Sequence, residues 1–293
     1  MSPRNKLSNK GTGKHTAQPA TPPPNVLNQG KEKGNLLSFV APTEFVDLPT
    51  QGKYYPQGHP LHNKDVLEIK YMTAKHEDLL TSPTLLRKGV AIDRLLQSLV
   101  IDESINVDDM FVGDKNALII ASRITGYGSE YKLEVPCPSC GAQNDHVFDL
   151  SALEHVQPSD EELEKYDITV SAQNTFLITL PVTKVVMEVR LMSGHDEKQI
   201  ERYNKMLQKN HGLEAGMTDQ LKQIIVSLNE ETDRGIIDQF VDNMPAKDAQ
   251  YFRLAYAVLT PNVKMKQDFA CSYCGHEQEV NVPLTAEFFW PRQ

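Results

Sequence analysis

Four cysteines, one tryptophan and no long apolar run are what 293 residues provide of the features that most often declare a function. No stretch reaches the roughly 18 consecutive apolar residues of a membrane span, so no helical span and no membrane partner are expected. The N-terminus lacks an apolar signal-peptide core. The expectation is therefore a reducing compartment, where paired cysteines bind metal or do redox work more often than they form disulfides. Common catalytic signatures are missing too: there is no G-x-S-x-G, no H-E-x-x-H and no dinucleotide fingerprint. Gly11-Thr12-Gly13-Lys14-His15-Thr16 has the outline of a phosphate loop. It lacks Ser or Thr directly after the lysine, a preceding strand and a following amphipathic helix, and is rejected. Asp108-Asp109 and Glu161-Glu162 read as solvated turns or helix faces, and His59 and His62 as loop residues rather than a ligand pair. The chain is expected to be no enzyme and to have no small-molecule substrate.

Charge is unevenly spread. The formal net charge is −9, yet residues 1–34 hold Arg4, Lys6, Lys10, Lys14, Lys31 and Lys33 against Glu32 alone, a balance of +5. Subtracting +5 from −9 leaves −14 on the remainder. An acidic body repels phosphate backbones, and the basic tail carries no aromatic residues for stacking on bases before residue 34. Nucleic acid is not the expected partner.

Residues 1–42 form a basic, Pro/Gly-rich stretch without apolar period, read as a disordered tail. Beyond it the patterning is α+β. Residues 65–72 alternate as a strand, Thr73 caps a short helix, and Ser82-Pro83 opens another with an apolar face of Leu85, Leu86, Val90, Ile92, Leu95, Leu96 and Leu99. A helix over 114–128 precedes two strands that flank Cys137 and Cys140. The acidic segment 154–174 reads as a linker. After it come two strands, helices over 195–209, 217–228, 233–243 and 247–259, and two strands flanking Cys271 and Cys274.

The two parts can be laid over each other. Val66–Asp78, VLEIKYMTAKHED, aligns without gaps to Val186–Lys198, VMEVRLMSGHDEK. In each part this strand is followed by helices, a strand, a C-x-x-C-G turn and a further strand. Then comes Asp149-Leu150-Ser151-Ala152 or Pro283-Leu284-Thr285-Ala286. The shared order predicts a diverged duplication, with one strand–helix–knuckle repeat over 43–153 and a second over 175–293.

That duplication explains the cysteine spacing. Compact zinc sites separate their pairs by about 15–20 residues, whereas roughly 130 lie between these two turns. A knuckle between two strands supplies two thiolates, and its glycine permits the left-handed turn. Two knuckles supply the four ligands of a structural zinc: Cys137, Cys140, Cys271 and Cys274. The resulting expectation is one zinc per chain in a split ribbon-like site. Iron in a rubredoxin-like site is less favoured. Thioredoxin-like redox chemistry is disfavoured because strand-like sequence, not a helix, follows each motif. His146 and His276 lie near the knuckles and are expected to be exposed.

Certain blocks carry a family resemblance: MTAKHEDLLTSPTLLRKG over 72–89, GDKNA over 113–117, the first CPSCG, and the C-terminal VPLTAEFFWP. From about residue 44 onward the chain resembles the baseplate hub and hub-assembly family of T-even-like contractile-tailed bacteriophages. The resemblance implies a structural or assembly protein of the tail baseplate, with other hub and tail tube proteins as partners. It implies a place in the virion, or in the host cytoplasm during assembly. A zinc-ribbon nucleic-acid-binding regulator is the alternative. Phe288, Phe289 and Trp290 have two possible uses: closing the protein's own core, or anchoring a hub partner.

Overall fold

A computed structural model describes residues 42–211, 217–284 and 286–289. The expected tail therefore lies outside the described residues, except for Pro42. The first strands, β1 (Thr43–Asp47) and β2 (Val66–Lys70), pair antiparallel with Thr43 opposite Lys70. The loop between them turns on Gly52, at φ +68°, where a Cβ would lie 2.4 Å from the Leu61 carbonyl oxygen; only glycine fits. Three short helices follow: α1 (Ala74–Thr81), α2 (Pro83–Lys88) and α3 (Ala91–Leu99). The sequence predicts one helix after Pro83, but the structure divides it. Gly89 sits at φ +70° and ends α2, leaving Leu86 and Ile92 exposed while Leu95, Leu96 and Leu99 are buried.

Helix α4 (Val112–Tyr127) leads into the hairpin of β3 (Glu130–Pro136) and β4 (Gln143–Asp149). The stretch expected as a linker carries β5 (His155–Val156), α5 (Asp160–Lys165) and β6 (Ile168–Val170). Next come β7 (Phe176–Thr179), β8 (Val186–Val189), α6 (Gly194–His211), α7 (Met217–Ile224) and β9 (Ile225–Leu228). The helix expected over 217–228 is thus cut short. Its last four residues, Ile225-Val226-Ser227-Leu228, contain two β-branched side chains and pair with β8, where tertiary pairing outweighs helical continuation. Finally α8 (Arg234–Asn243), α9 (Ala246–Leu259), β10 (Asn262–Val263), β11 (Lys266–Ala270) and β12 (Glu277–Asn281) precede one turn of 3-10 helix, Ala286–Phe289. The architecture is α+β, with small antiparallel sheets: a four-stranded β6-β7-β8-β9 and two-stranded pairs β1-β2, β3-β4, β5-β10 and β11-β12.

Several contacts occur twice. Ile69 on β2 bridges Val100, and Val189, its aligned position on β8, pairs with Ile225. The caps correspond as well: the Thr73 amide donates to His76 Nδ1 (3.0 Å), and the Ser193 amide to Asp196 Oδ2 (2.8 Å). Helices α4 and α9 each carry a buried aspartate at the third residue. Asp114 accepts from the Thr50 amide (2.9 Å) and hydroxyl (2.6 Å), just after Leu48-Pro49. Asp248 accepts from the Val182 and Thr183 amides (2.8 and 2.9 Å) and the Thr183 hydroxyl (2.8 Å), just after Leu180-Pro181. In both places a carboxylate near a helix N-terminus pins the turn that leaves a strand.

Two large apolar cores result. One gathers Leu48, Leu67, Ile69, Leu95, Leu118 and Phe148, and is completed by Val263, Val282, Phe288 and Phe289 from the far end of the chain. The other gathers Phe176, Ile178, Met187, Ile237 and Phe252. Between α3, α4 and α6 runs an ion-pair network. Lys115 lies 3.0 Å from Asp93 and 2.9 Å from Glu197, and Lys198 lies 3.0 Å from Asp93 while also meeting Asp108. Burial alone would push the Asp93 carboxyl up, but Lys115 and Lys198 outweigh it and hold the carboxyl below the usual carboxylate range. A depressed folded pKa stabilises above the unfolded value and loses that contribution as pH falls through the folded one. Asp93→Asn should therefore cost about 3 kcal/mol at pH 7, a difference that shrinks toward pH 3. Urea unfolding of both proteins at the two pH values measures it; an equal deficit at both would mean that the charge is not the stabilising element.

Candidate metal centre

The two hairpins are built alike. At the first tip the Cys137 amide donates to the Ala142 carbonyl (2.9 Å) and the Gly141 amide to the Cys137 carbonyl (2.8 Å). At the second, the Cys271 amide donates to His276 (2.9 Å) and the Gly275 amide to Cys271 (3.0 Å). Gly141 and Gly275 stand at φ +74° and +70° with open space where a Cβ would be, so glycine is needed for its conformation rather than its size. The tips meet. Cys137 Sγ lies 3.8 Å from Cys274 Sγ, Cys140 Sγ lies 3.7 Å from Cys271 Sγ, and all four sulfurs fall within 4.8 Å of one another.

These separations fit a metal. Bonded sulfurs stand about 2.05 Å apart, and the four cysteines are free. Thiolates held tetrahedrally at about 2.3 Å from one ion have edges of about 3.8 Å. Cys137 and Cys271 are buried against Phe269, while Cys140 and Cys274 are exposed. Burial pushes the Cys271 thiol up, but the Cys274 and Tyr273 amides outweigh it and hold the thiol down at about 6. The Ala142 amide draws Cys140 down, but desolvation and the sulfurs of Cys274, Cys137 and Cys271 prevail and push it up to about 12. A central cation would offset the mutual repulsion of four thiolates this close.

A further residue joins the hairpins, and no spacing in the sequence points to it. Asn144, 5% exposed on β4, accepts from the Ser272 amide (2.9 Å) and hydroxyl (2.8 Å) through Oδ1, and donates to the Ala142 carbonyl (2.9 Å) through Nδ2. His146, expected to be exposed, is instead wedged edge-on between Phe148 and Phe269, with centroids 4.5 and 5.5 Å away, because β4 turns it inward toward the other hairpin. His276 is half-buried, its Nε2 3.3 Å from Gln278 Oε1. His59 stacks on Tyr55 with centroids 4.5 Å apart, and His62 Nδ1 donates to the Tyr55 carbonyl (2.7 Å), so both histidines shape their loop. Among the described residues, the four cysteines form the one cluster with metal-ligand geometry.

The C-terminal aromatics divide. Phe288 and Phe289 are 2% and 1% exposed, packed in the first core, with Phe288 edge-on to Tyr131 at 5.2 Å. Buried Arg123 donates from Nε to the Phe288 carbonyl (2.7 Å), and from its other nitrogens to the Gly128 and Glu130 carbonyls. Both rings therefore fill this chain's own core. Trp290 lies outside the described residues.

The family described as T4 bacteriophage base plate protein matches residues 42–290. No curated protein and no solved structure matches the chain.

Removing a ring of this size from a core without collapse of the site costs about 3–5 kcal/mol. Phe288→Ala should lower stability by that amount, and deleting residues 288–293 should lower it further; thermal melting of both variants tests it. Melting curves that match the parent's would mean that the rings are not part of the core.

Proposed function

We propose, from the premise that this chain belongs to the T4 bacteriophage base plate protein family, that it is a structural or assembly protein of the tail baseplate hub held together by one zinc ion. Membership implies a place in the phage tail and contact with other baseplate or tail proteins. The match over 42–290 carries the baseplate reading. The hub, the tail tube proteins as neighbours, the absence of catalysis and a stay in the host cytoplasm during assembly are our refinements of it.

The metal reading rests on the sulfur geometry. Cys137, Cys140, Cys271 and Cys274 would hold the ion, and four thiolates leave no open position for a substrate or an activated water. The role that fits is a staple: when bound, zinc supplies a cross-link between hairpins that lie far apart in sequence. Iron accepts the same ligand set and is the less favoured ion.

The halves read as diverged copies, 43–153 and 175–293, joined through 154–174. Matching strand registers, matching helix caps and paired aspartate clamps support this more strongly than the sequence alignment alone. A nucleic-acid role finds less support. The outward faces of the hairpins set Glu134 opposite Asp145 and Asp268 opposite Glu279, like-charge pairs that would repel phosphates.

Native mass spectrometry should find one zinc per chain, and Cys137→Ser and Cys271→Ser should lose stability by similar amounts, since either opens the same staple. No metal, or two ions per chain, would sink the split site. Peptide mass spectrometry of purified virions and of partly assembled tails tests the baseplate role: the chain should be found in one or both. Absence from both, with normal tails made by phage lacking the gene, would overturn it.

A further inference from the structure

The internal correspondence exposes a difference. In the second half, β7 has a strand on each side, because β6, from the segment that joins the halves, covers its outer edge with Ile168 opposite Ile178 and Val170 opposite Phe176. Ile168 is buried, α5 packs against α9, and the Tyr251 hydroxyl on α9 donates to the Tyr166 carbonyl at 2.8 Å. The corresponding strand of the first half is β1: Thr43 to Leu48-Pro49 runs parallel in sequence to Thr175 to Leu180-Pro181. Among the described residues, β1 pairs with β2 alone.

The uncovered edge can be read from the register. The Tyr71 amide donates to the Pro42 carbonyl and the Leu48 amide to the Asp65 carbonyl, so even-numbered residues of β1 bond to β2. Thr43, Phe45 and Asp47 then direct their amides and carbonyls outward. Beside this edge lies a groove of about 400 Å³ whose lining includes Phe45, Val46, Ala121, Ile124, Leu153 and Val263. Its wall is the helical stripe Ala117, Ile120, Ala121 and Ile124 of α4. Counting from the two clamp aspartates, Ala117 occupies the place that Tyr251 holds on α9, so the first half has room where the second is filled. Phe45 is 65% exposed on the open edge. An unpaired edge beside an apolar groove is the geometry that accepts an added strand.

We propose that β1 and α4 form a strand-accepting site for an extended segment of a partner protein. This rests on the reading of the chain as a baseplate component surrounded by other proteins. The occupant follows from what fills the second half: a short antiparallel strand, with an aliphatic side chain opposite Val46 as Ile168 stands opposite Ile178. Glu44 and Asp47 line the same groove and call for a lysine or arginine flanking that residue. Backbone bonds to Phe45 would give affinity, and the groove would select the side chain.

The probe is a synthetic peptide that copies Tyr166–Ser171 and carries two lysines at each end, titrated into the full chain. Binding should protect the Phe45 and Asp47 amides from hydrogen exchange. It should weaken at least tenfold in Ala121→Phe, which fills the groove, and in Phe45→Pro, which removes an outward amide and the ring beside it but no bond to β2. Melting of Ala121→Phe should match the parent, which keeps the test valid if Phe45→Pro fails to fold. No binding to the parent, or equal binding to a folded Ala121→Phe, would overturn the proposal. So would edge amides already protected in the free chain: a concentration-independent result means the chain's own segment fills the groove, and a concentration-dependent one means a second copy does. None of these readouts depends on the virion, so the baseplate assignment and the strand site can fail separately.

Discussion

Four sulfurs, two from the middle of the chain and two from near its C-terminal end, meet in one cluster, and much of the remaining architecture serves that meeting. Cys140 and Cys271 stand 131 positions apart in the chain. Loop-closure entropy grows slowly, by about 0.6 kcal/mol per doubling, so this spacing costs only about 2 kcal/mol more than a compact one. Structural zinc sites bind with roughly 10–16 kcal/mol. A split site is therefore thermodynamically reasonable once the hairpins are aimed at each other. Asn144 helps to aim them, because its amide group satisfies the second knuckle's backbone and the first knuckle's carbonyl together.

The convergence also explains why the cores are not divided as the sequence halves are. The second hairpin must reach the first, so the chain leaves α9 and crosses to the other core, where Val263, Val282, Phe288 and Phe289 are buried. Arg123 donates hydrogen bonds to three backbone carbonyls at this crossing, those of Phe288, Gly128 and Glu130. On another face, Asp93, Lys115, Glu197 and Lys198 join α3, α4 and α6. The two parts of the chain thus meet at the cysteine cluster, through apolar packing and through charge. Such redundancy suits a component that must hold its shape while neighbours assemble around it.

Much of this was legible from residue types alone. The alternation in Val66–Met72, the Ser82-Pro83 helix start and the two C-x-x-C-G turns each encode local geometry, because strand period, fixed proline φ and left-handed glycine are properties of short segments. Local rules failed where a neighbour decided. Ile225–Leu228 continue a helical pattern, yet they become a strand because β8 offers an open edge. His146 looks like any polar strand residue until the second hairpin covers it.

By itself the sequence determined the α+β composition and the two C-x-x-C-G turns, since each depends on spacing or on one residue's conformational freedom. Only the tertiary structure decided which core receives Phe288 and Phe289, that Asn144 ties the knuckles, and that β7 is covered by β6 while, among the described residues, β1 pairs with β2 alone. Those outcomes depend on distances between segments remote in the chain, and pairing between remote segments is set by the packing of the whole rather than by any local pattern.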